Sequence, residues 1–224
     1  LEPQAVEDYF ALGYIPEPKT IYRGVFKLRP GHTLLIARGK PVPAQHEYWD
    51  VPFAPVAVGA EAELCEELFA RLREAVEIRL VAEVPLGAFL SGGVDSSAVV
   101  AAMAQLQHAP VNTCAIGFDV PQFNETDFAR QVAQRYRTNH LERVVASDDF
   151  DLLDTLAALY DEPYADSSAI PTYRVCQLAR ERVTVALSGD GGEELKGGKG
   201  RFFLESGPEM RGDEIDFSAF AALF

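Results

Sequence analysis

The chain has 224 residues, 48% hydrophobic and 24% charged, and its 34 acidic side chains outnumber 20 basic ones to give a formal net charge of −14. That composition is globular and sufficient for a sizeable core. The acidic excess argues against non-specific nucleic-acid binding and against docking on anionic membranes, both of which need a basic surface. A nucleotide remains open, because it needs only a local positive field and a metal. Cys65, Cys114 and Cys176 are far apart and odd in number. They read as buried free thiols, with no zinc-like spacing. With no signal peptide and no apolar run long enough to span a bilayer, a reducing cytoplasm is the expected compartment.

In chain order, residues 1–50 differ from the rest. Glu7–Leu12 reads as a helical turn, broken by Pro16 and Pro18. Ile21–Leu28 reads as extended and Leu34–Ala37 as a short strand. This piece is too short and too rich in Pro and Gly to be a domain alone. After a small-residue linker at 56–60, Glu61–Leu80 carries Leu64, Leu68, Leu72, Ala75 and Val76 at helical spacing, with charges opposite, and is expected to cover a sheet.

From residue 81 the pattern repeats strand and helix. A first strand ends at Leu90, with its helix reaching about Gln107. Val111–Phe118 makes a second strand, and Asn124–Tyr136 a helix capped by Asn124 or Thr126. His140–Val145 is a third strand, Asp149–Tyr160 and Ser168–Arg182 are helices, and Val183–Leu187 is a fourth strand. Strands this apolar predict an α/β fold, a parallel sheet buried on both faces by helices. Ligands of such sheets sit beyond the C-terminal strand ends, so the positions after Leu90, Ile116, Val145 and Leu187 carry the information. Phe118 and Phe123 read as core, and His140 as structural rather than catalytic.

The first of those positions holds Ser91-Gly92-Gly93-Val94-Asp95-Ser96-Ser97, followed by an Ala/Val-rich helix. Glycines let the backbone approach a ligand or take positive φ. The helix start offers unpaired N–H groups to a phosphate, and Ser91, Ser96 and Ser97 add hydroxyls. Asp95 would repel a phosphate unless a divalent cation lay between them, so the loop predicts Mg2+ as well as nucleotide. A plain capped turn is the bland alternative. The full run resembles the pyrophosphate loop of the ATP pyrophosphatase (PP-loop) superfamily, and it is not a Walker A loop, because no Gly-Lys-Ser/Thr comes after the glycines.

After the fourth strand comes Ser188-Gly189-Asp190-Gly191-Gly192-Glu193-Glu194. With Asp161-Glu162-Pro163 … Asp166-Ser167-Ser168 … Pro171-Thr172 and the early Tyr48-Trp49-Asp50, this loop resembles the glutamine-hydrolysing asparagine synthetases. The resemblance implies residues 1–55 as the end of a β-rich glutaminase domain, 56–195 as an incomplete PP-loop synthetase domain, and 196–224 as an unassigned tail. It implies that a carboxylate, aspartate or similar, is activated by ATP as an acyl-AMP, and that ammonia from glutamine then displaces AMP. It points to Asp95 and Glu193 as holders of Mg2+ and to Asp190 as the base that takes a proton from ammonia. Phe89, Leu90, Ile116, Ser188 and Gly189 are implied around the adenine, with Ser91, Gly92, Gly93, Asp95, Ser96 and Ser97 at the phosphates.

Two positions depart from the family pattern. Glu193 stands where Asp is usual, and Lys196 where an aromatic residue is usual. Asp190 replaces a Glu in a way seen in relatives that amidate other acids. No cysteine is N-terminal, so this stretch is not expected to hydrolyse glutamine by itself. The resemblance leaves room for a homodimer. The alternatives are a catalytically silent nucleotide-binding fragment, an amidotransferase acting on another carboxylate, and a PP-loop enzyme of tRNA bases, which the acidic charge disfavours.

Overall fold

The computed structural model describes residues 1–50, 59–119, 124–145 and 150–190. Phe123, Glu193, Lys196 and the tail from 196 lie outside the described residues. Contacts group the chain into two compact units, Leu1–Val56 with Phe150–Ile170, and Ala57–Asp149 with Pro171–Phe224.

In the first unit, helix α1 spans Pro3–Leu12, longer than its apolar pattern suggests. Pro3 fits a first turn, where its missing N–H has no helical partner to lose. The helix ends at Gly13, whose N–H donates to the Tyr9 carbonyl at 2.8 Å. The expected extended run Ile21–Leu28 is not a strand. Only Lys19 and Phe26 bridge. The Thr20 hydroxyl accepts the Tyr22 N–H at 3.1 Å and lies 3.0 and 2.9 Å from the Tyr22 and Val25 carbonyls. Such a side-chain turn consumes backbone groups that a ladder would need. The strand expected at Leu34–Ala37 falls instead at His32–Thr33 (β1), antiparallel to His46–Glu47 (β2). Leu35 is 85% exposed, so that run has no buried face to hold it in a sheet.

A turn of 3-10 helix at Phe150–Leu152 precedes α5, Leu153–Leu159. Glu162 joins this segment to the start of the chain. One carboxylate oxygen accepts the Ile21 N–H at 2.7 Å, and the other pairs with Lys27 at 2.6 Å.

In the second unit α2 spans Glu61–Glu77, followed by β3 (Leu86–Phe89), α3 (Val94–Leu106), β4 (Asn112–Phe118), α4 (Thr126–Tyr136), β5 (Asn139–Val145), α6 (Ala169–Ala179, entered from the first unit) and β6 (Val185–Leu187). The strands lie in the order β5-β4-β3-β6, all parallel. Side chains alternate across the sheet as strand geometry requires. Ala88, Leu90 and Ala115 join Val100, Met103 and Ala129 of α3 and α4 in one apolar cluster. Phe89, Cys114 and Ile116 face Val175, Leu178 and Ala179 of α6 in another. Helices therefore cover both faces, as the apolar strands predict.

Two expectations need correction. Helix α2 lies on α3, and only its last turns, through Leu72 and Val76, reach the cluster that contains β3. The cause is α3, which is apolar nearly all round, with Val100, Ala101, Ala102 and Met103 fully buried, and so needs cover on its outer side. Strand β5 is not buried on both faces. It forms one edge of the sheet, and among its residues only Val145 is buried. Its charges are paired outward, Glu142 with Arg130 at 2.7 Å and Arg143 with Glu181 at 2.8 Å.

His140 sits in this region in a structural role. Its Nδ1 is 2.9 Å from the Thr113 hydroxyl, which is 2.7 Å from that of Thr138. Its Nε2 is buried without a hydrogen bond, 3.8 Å from Glu142. Burial pushes the imidazole below its ordinary pKa, with Glu142 opposing and Arg130 adding to the shift. The unfolded chain therefore takes up the proton at higher pH than the folded one. Stability is then full above the ordinary histidine value and falls as pH drops through the window beneath it. Urea unfolding at pH 7 and pH 5.5 checks this: the wild type should lose stability on acidification, and His140→Gln should lose less.

Candidate active site

Strand order reverses between β3 and β6, because the chain runs outward from β3 to β4 and β5 and then returns to the other side of β3. Beyond the C-terminal ends of two such strands, the two following loops diverge from the sheet and leave a crevice. Those loops are Ser91–Ser97 and Ser188–Asp190. They do more than face each other. A Cβ on Gly189 would stand 2.6 Å from the Ser96 nitrogen and 2.8 Å from the Asp95 carbonyl carbon. The second loop therefore rests on the first turn of α3 at a distance that only glycine permits.

The phosphate-type loop divides its work between its glycines. Gly92 takes φ +91°, and a Cβ there would meet the Ala129 nitrogen and the Phe128 Cβ, each at 2.6 Å. It seats the loop against α4. Gly93 has an ordinary φ of −66° and is the N-cap of α3, with no side-chain cap. A Cβ there would touch only the Ser91 hydroxyl, at 3.4 Å. The loop thus opens to the cleft at Gly93. The hydroxyls of Ser91 and Ser96 are 3.0 Å apart, Ser96 donates to the Gly93 carbonyl at 3.2 Å, and the Gly93 N–H donates to Ser91 at 3.3 Å. The loop holds its shape through its own polar groups.

A cleft of 440 Å³ opens over these loops. Of the residues singled out in the sequence, Phe89, Leu90, Ser91, Gly93, Asp95, Ser96, Ile116, Ser188, Gly189 and Asp190 line it. Gly92 and Ser97 do not. Gly92 is turned to α4, and the Ser97 oxygen is buried with no hydrogen bond. Asp190 accepts a hydrogen bond from the Ser188 hydroxyl at 2.9 Å. Phe118, read from sequence as core, is only partly buried and lines the cleft, because it ends β4 where the sheet opens to the loops.

Sequence reasoning missed Cys114, Glu125, Pro171, Thr172 and Val175, which also line the cleft. Pro171, Thr172 and Val175 come from α6, and Pro171 and Val175 are one turn apart on its sheet-facing side. Glu125 immediately precedes α4. Its place between the second strand and the helix after it was the signal that could have found it, since ligands gather at strand ends. Burial pushes the Cys114 thiol up, so it offers the cleft a neutral apolar surface.

The lining has three carboxylates, Asp95, Glu125 and Asp190, and no Lys, Arg or His among the described residues. Among the described residues, the groups that could meet a phosphate here are backbone N–H groups and hydroxyls. The charged groups of the lining are carboxylates, hard oxygen ligands of the kind Mg2+ takes, and the Cys114 thiol is held neutral. Among the described residues no three carboxylate, Cys or His groups cluster as a closed metal cage. Mg2+ fits such a site, because it commonly takes one or two carboxylates and completes its shell with water and substrate phosphate.

The asparagine synthase family model matches residues 67–220. The chain belongs to the asparagine synthase family. A Methanocaldococcus jannaschii protein assigned as a glutamine-hydrolysing asparagine synthetase is 41% identical over 201 residues, covering 88% of this chain and 38% of that protein. Asparagine synthetase 1 (glutamine-hydrolysing) of Bacillus subtilis is 33% identical over 199 residues, covering 88% of this chain and 31% of that protein. The chain thus spans about a third of the length of these curated relatives. Among solved structures, the NH3-dependent NAD synthetase of Campylobacter jejuni is similar with a TM-score of 0.42 and 12% identity, covering 61% of each chain, too remote to add to the topology already described.

The glycines separate stability from binding. Gly189→Ala and Gly92→Ala should each destabilise the fold by about 1–3 kcal/mol, since backbone atoms must move. Gly93→Ala should leave stability within about 0.5 kcal/mol and weaken nucleotide binding about tenfold or more. Urea unfolding and equilibrium nucleotide titration of the three variants distinguish these outcomes.

Proposed function

We propose that this domain is the ATP-using half of an amide-forming ligase. It activates the carboxylate of an aspartate-like acid as an acyl-AMP and passes it to ammonia. The observation that carries the reading is the contact of Gly189 with Asp95 and Ser96, which sets the two loops on one cleft. Family membership supports the reaction class. Glutamine as the source of ammonia and a homodimeric assembly are part of the same proposal for the full-length protein.

In the first step an acceptor carboxylate oxygen attacks the α-phosphorus of ATP, the bond to the β-phosphate oxygen breaks, and pyrophosphate leaves. Gly93, Ser91, Ser96 and the first N–H groups of α3 hold the departing phosphates. Asp95, with Glu193, would hold Mg2+, which neutralises charge on the leaving group. The adenine lies against Phe89 and Ile116, beside Ser188 and Gly189. In the second step the ammonia nitrogen attacks the acyl carbon, the carbon–oxygen bond to AMP breaks, and a proton passes from nitrogen to the Asp190 carboxylate. The Ser188 hydroxyl keeps that carboxylate turned toward its loop.

Substitution separates the two steps. With the full-length protein and aspartate, Asp190→Asn should keep acid-dependent exchange of pyrophosphate into ATP and reduce amide formation by about 10²–10⁴-fold. Asp95→Asn should depress the exchange itself and raise the Mg2+ requirement. Failure of exchange with every carboxylic acid tried would sink the ligase reading and leave a nucleotide-binding domain.

A further inference from the structure

Glu125 has no part in the chemistry above, yet its placement is closely fixed. Its carbonyl accepts the N–H groups of Phe128 and Ala129 at 3.1 and 3.3 Å, which makes it the residue that starts α4. The same Phe128 and Ala129 are the residues against which Gly92 is packed. The backbone of Glu125 is therefore held one helical turn from the phosphate-type loop. Its side chain lines the cleft, is exposed, and has no hydrogen bond or ion pair among the described residues. Its neighbours differ. Asp127 and Glu142 are both taken up by Arg130.

A free carboxylate beside a phosphate cradle is repulsive unless a cation comes to it. Asp95 already stands at the metal position of the proposed reaction, and Asp190 is held by Ser188 at the position of the base. The reactants bring triphosphate and carboxylate, all anionic. The cationic group they can bring, besides the metal, is an ammonium on the acceptor. We infer that Glu125 is a specificity-determining residue that accepts a hydrogen bond from the ammonium group of the acceptor, so that the site takes amino acids in preference to plain dicarboxylic acids. This rests on the ligase reading. The ammonium's charge-assisted bond would orient the acceptor so that its reacting carboxylate faces the α-phosphate.

The test is ATP–pyrophosphate exchange by the full-length protein with aspartate and with succinate, which lacks the ammonium. The wild type should prefer aspartate. Glu125→Gln should raise KM for aspartate by about tenfold or more and erase that preference. Half-saturation by ATP and Mg2+ should stay within about twofold. Glu125→Asp should recover part of the aspartate affinity, and unaltered thermal melting should exclude misfolding. An unchanged aspartate KM in Glu125→Gln overturns the assignment, as does a change confined to Mg2+ half-saturation, which would put the residue on the metal. Equal use of succinate and aspartate by the wild type overturns it alone. Exchange with neither these nor any other acid overturns the ligase reading and this inference together.

Discussion

The site depends on one close contact, the approach of Gly189 to the first turn of α3. Two loops from strands far apart in sequence could face the same crevice and still stand too far apart to act on one molecule. Here the second loop touches the peptide between Asp95 and Ser96. Everything proposed for the cleft depends on that touch. The proposed phosphate cradle, Asp190 as the proposed base and Asp95 as the proposed metal holder all depend on it, since both residues line the same cleft. A glycine is required at 189 because any side chain would strike backbone, which cannot rotate away.

The sheet supports this contact without taking part in chemistry. Strand β3 is central, its residues shared between two apolar clusters, and α3 behind it is buried on nearly every side. Such an element cannot shift without opening cavities, so its N-terminus is a fixed point for whatever rests on it. The loop adds its own stiffness through the Ser91–Ser96–Gly93 hydrogen bonds. Pre-organised donors lose little freedom when a phosphate arrives.

The parts of the fold legible in the sequence were those with local causes. Strands β3, β4 and β6 are mostly apolar, and the run from Ser91 to Ser97 has the composition and order of a phosphate-type loop. What stayed hidden depends on packing. Gly92 and Gly93 look alike in the sequence, and only the position of α4 packs one against the fold and leaves the other lining the cleft. The α6 wall at Pro171 and Val175 is set by where β6 inserts in the sheet. The tie from Glu162 to Ile21 joins residues 141 apart, and no periodicity signals it. The apolar run at Leu34–Ala37 suggested a strand because local preference cannot tell whether a face will find a partner.

The carboxylate-lined cleft also governs how a nucleotide reaches it. Most phosphate sites draw their ligand in through a positive field. This chain carries −14 overall, and the described cleft lining is acidic. Among the described residues, long-range forces therefore oppose the approach of free ATP, and the proposed contact-range donors at Gly93 and α3 would reward its arrival. Adding salt shortens the reach of that repulsion, to about 10 Å at 0.1 M. Capture should therefore quicken with ionic strength, the reverse of ordinary electrostatic steering. Pre-association of the nucleotide with Mg2+ would lower the same barrier, so in the proposed reaction the metal would aid delivery as well as chemistry.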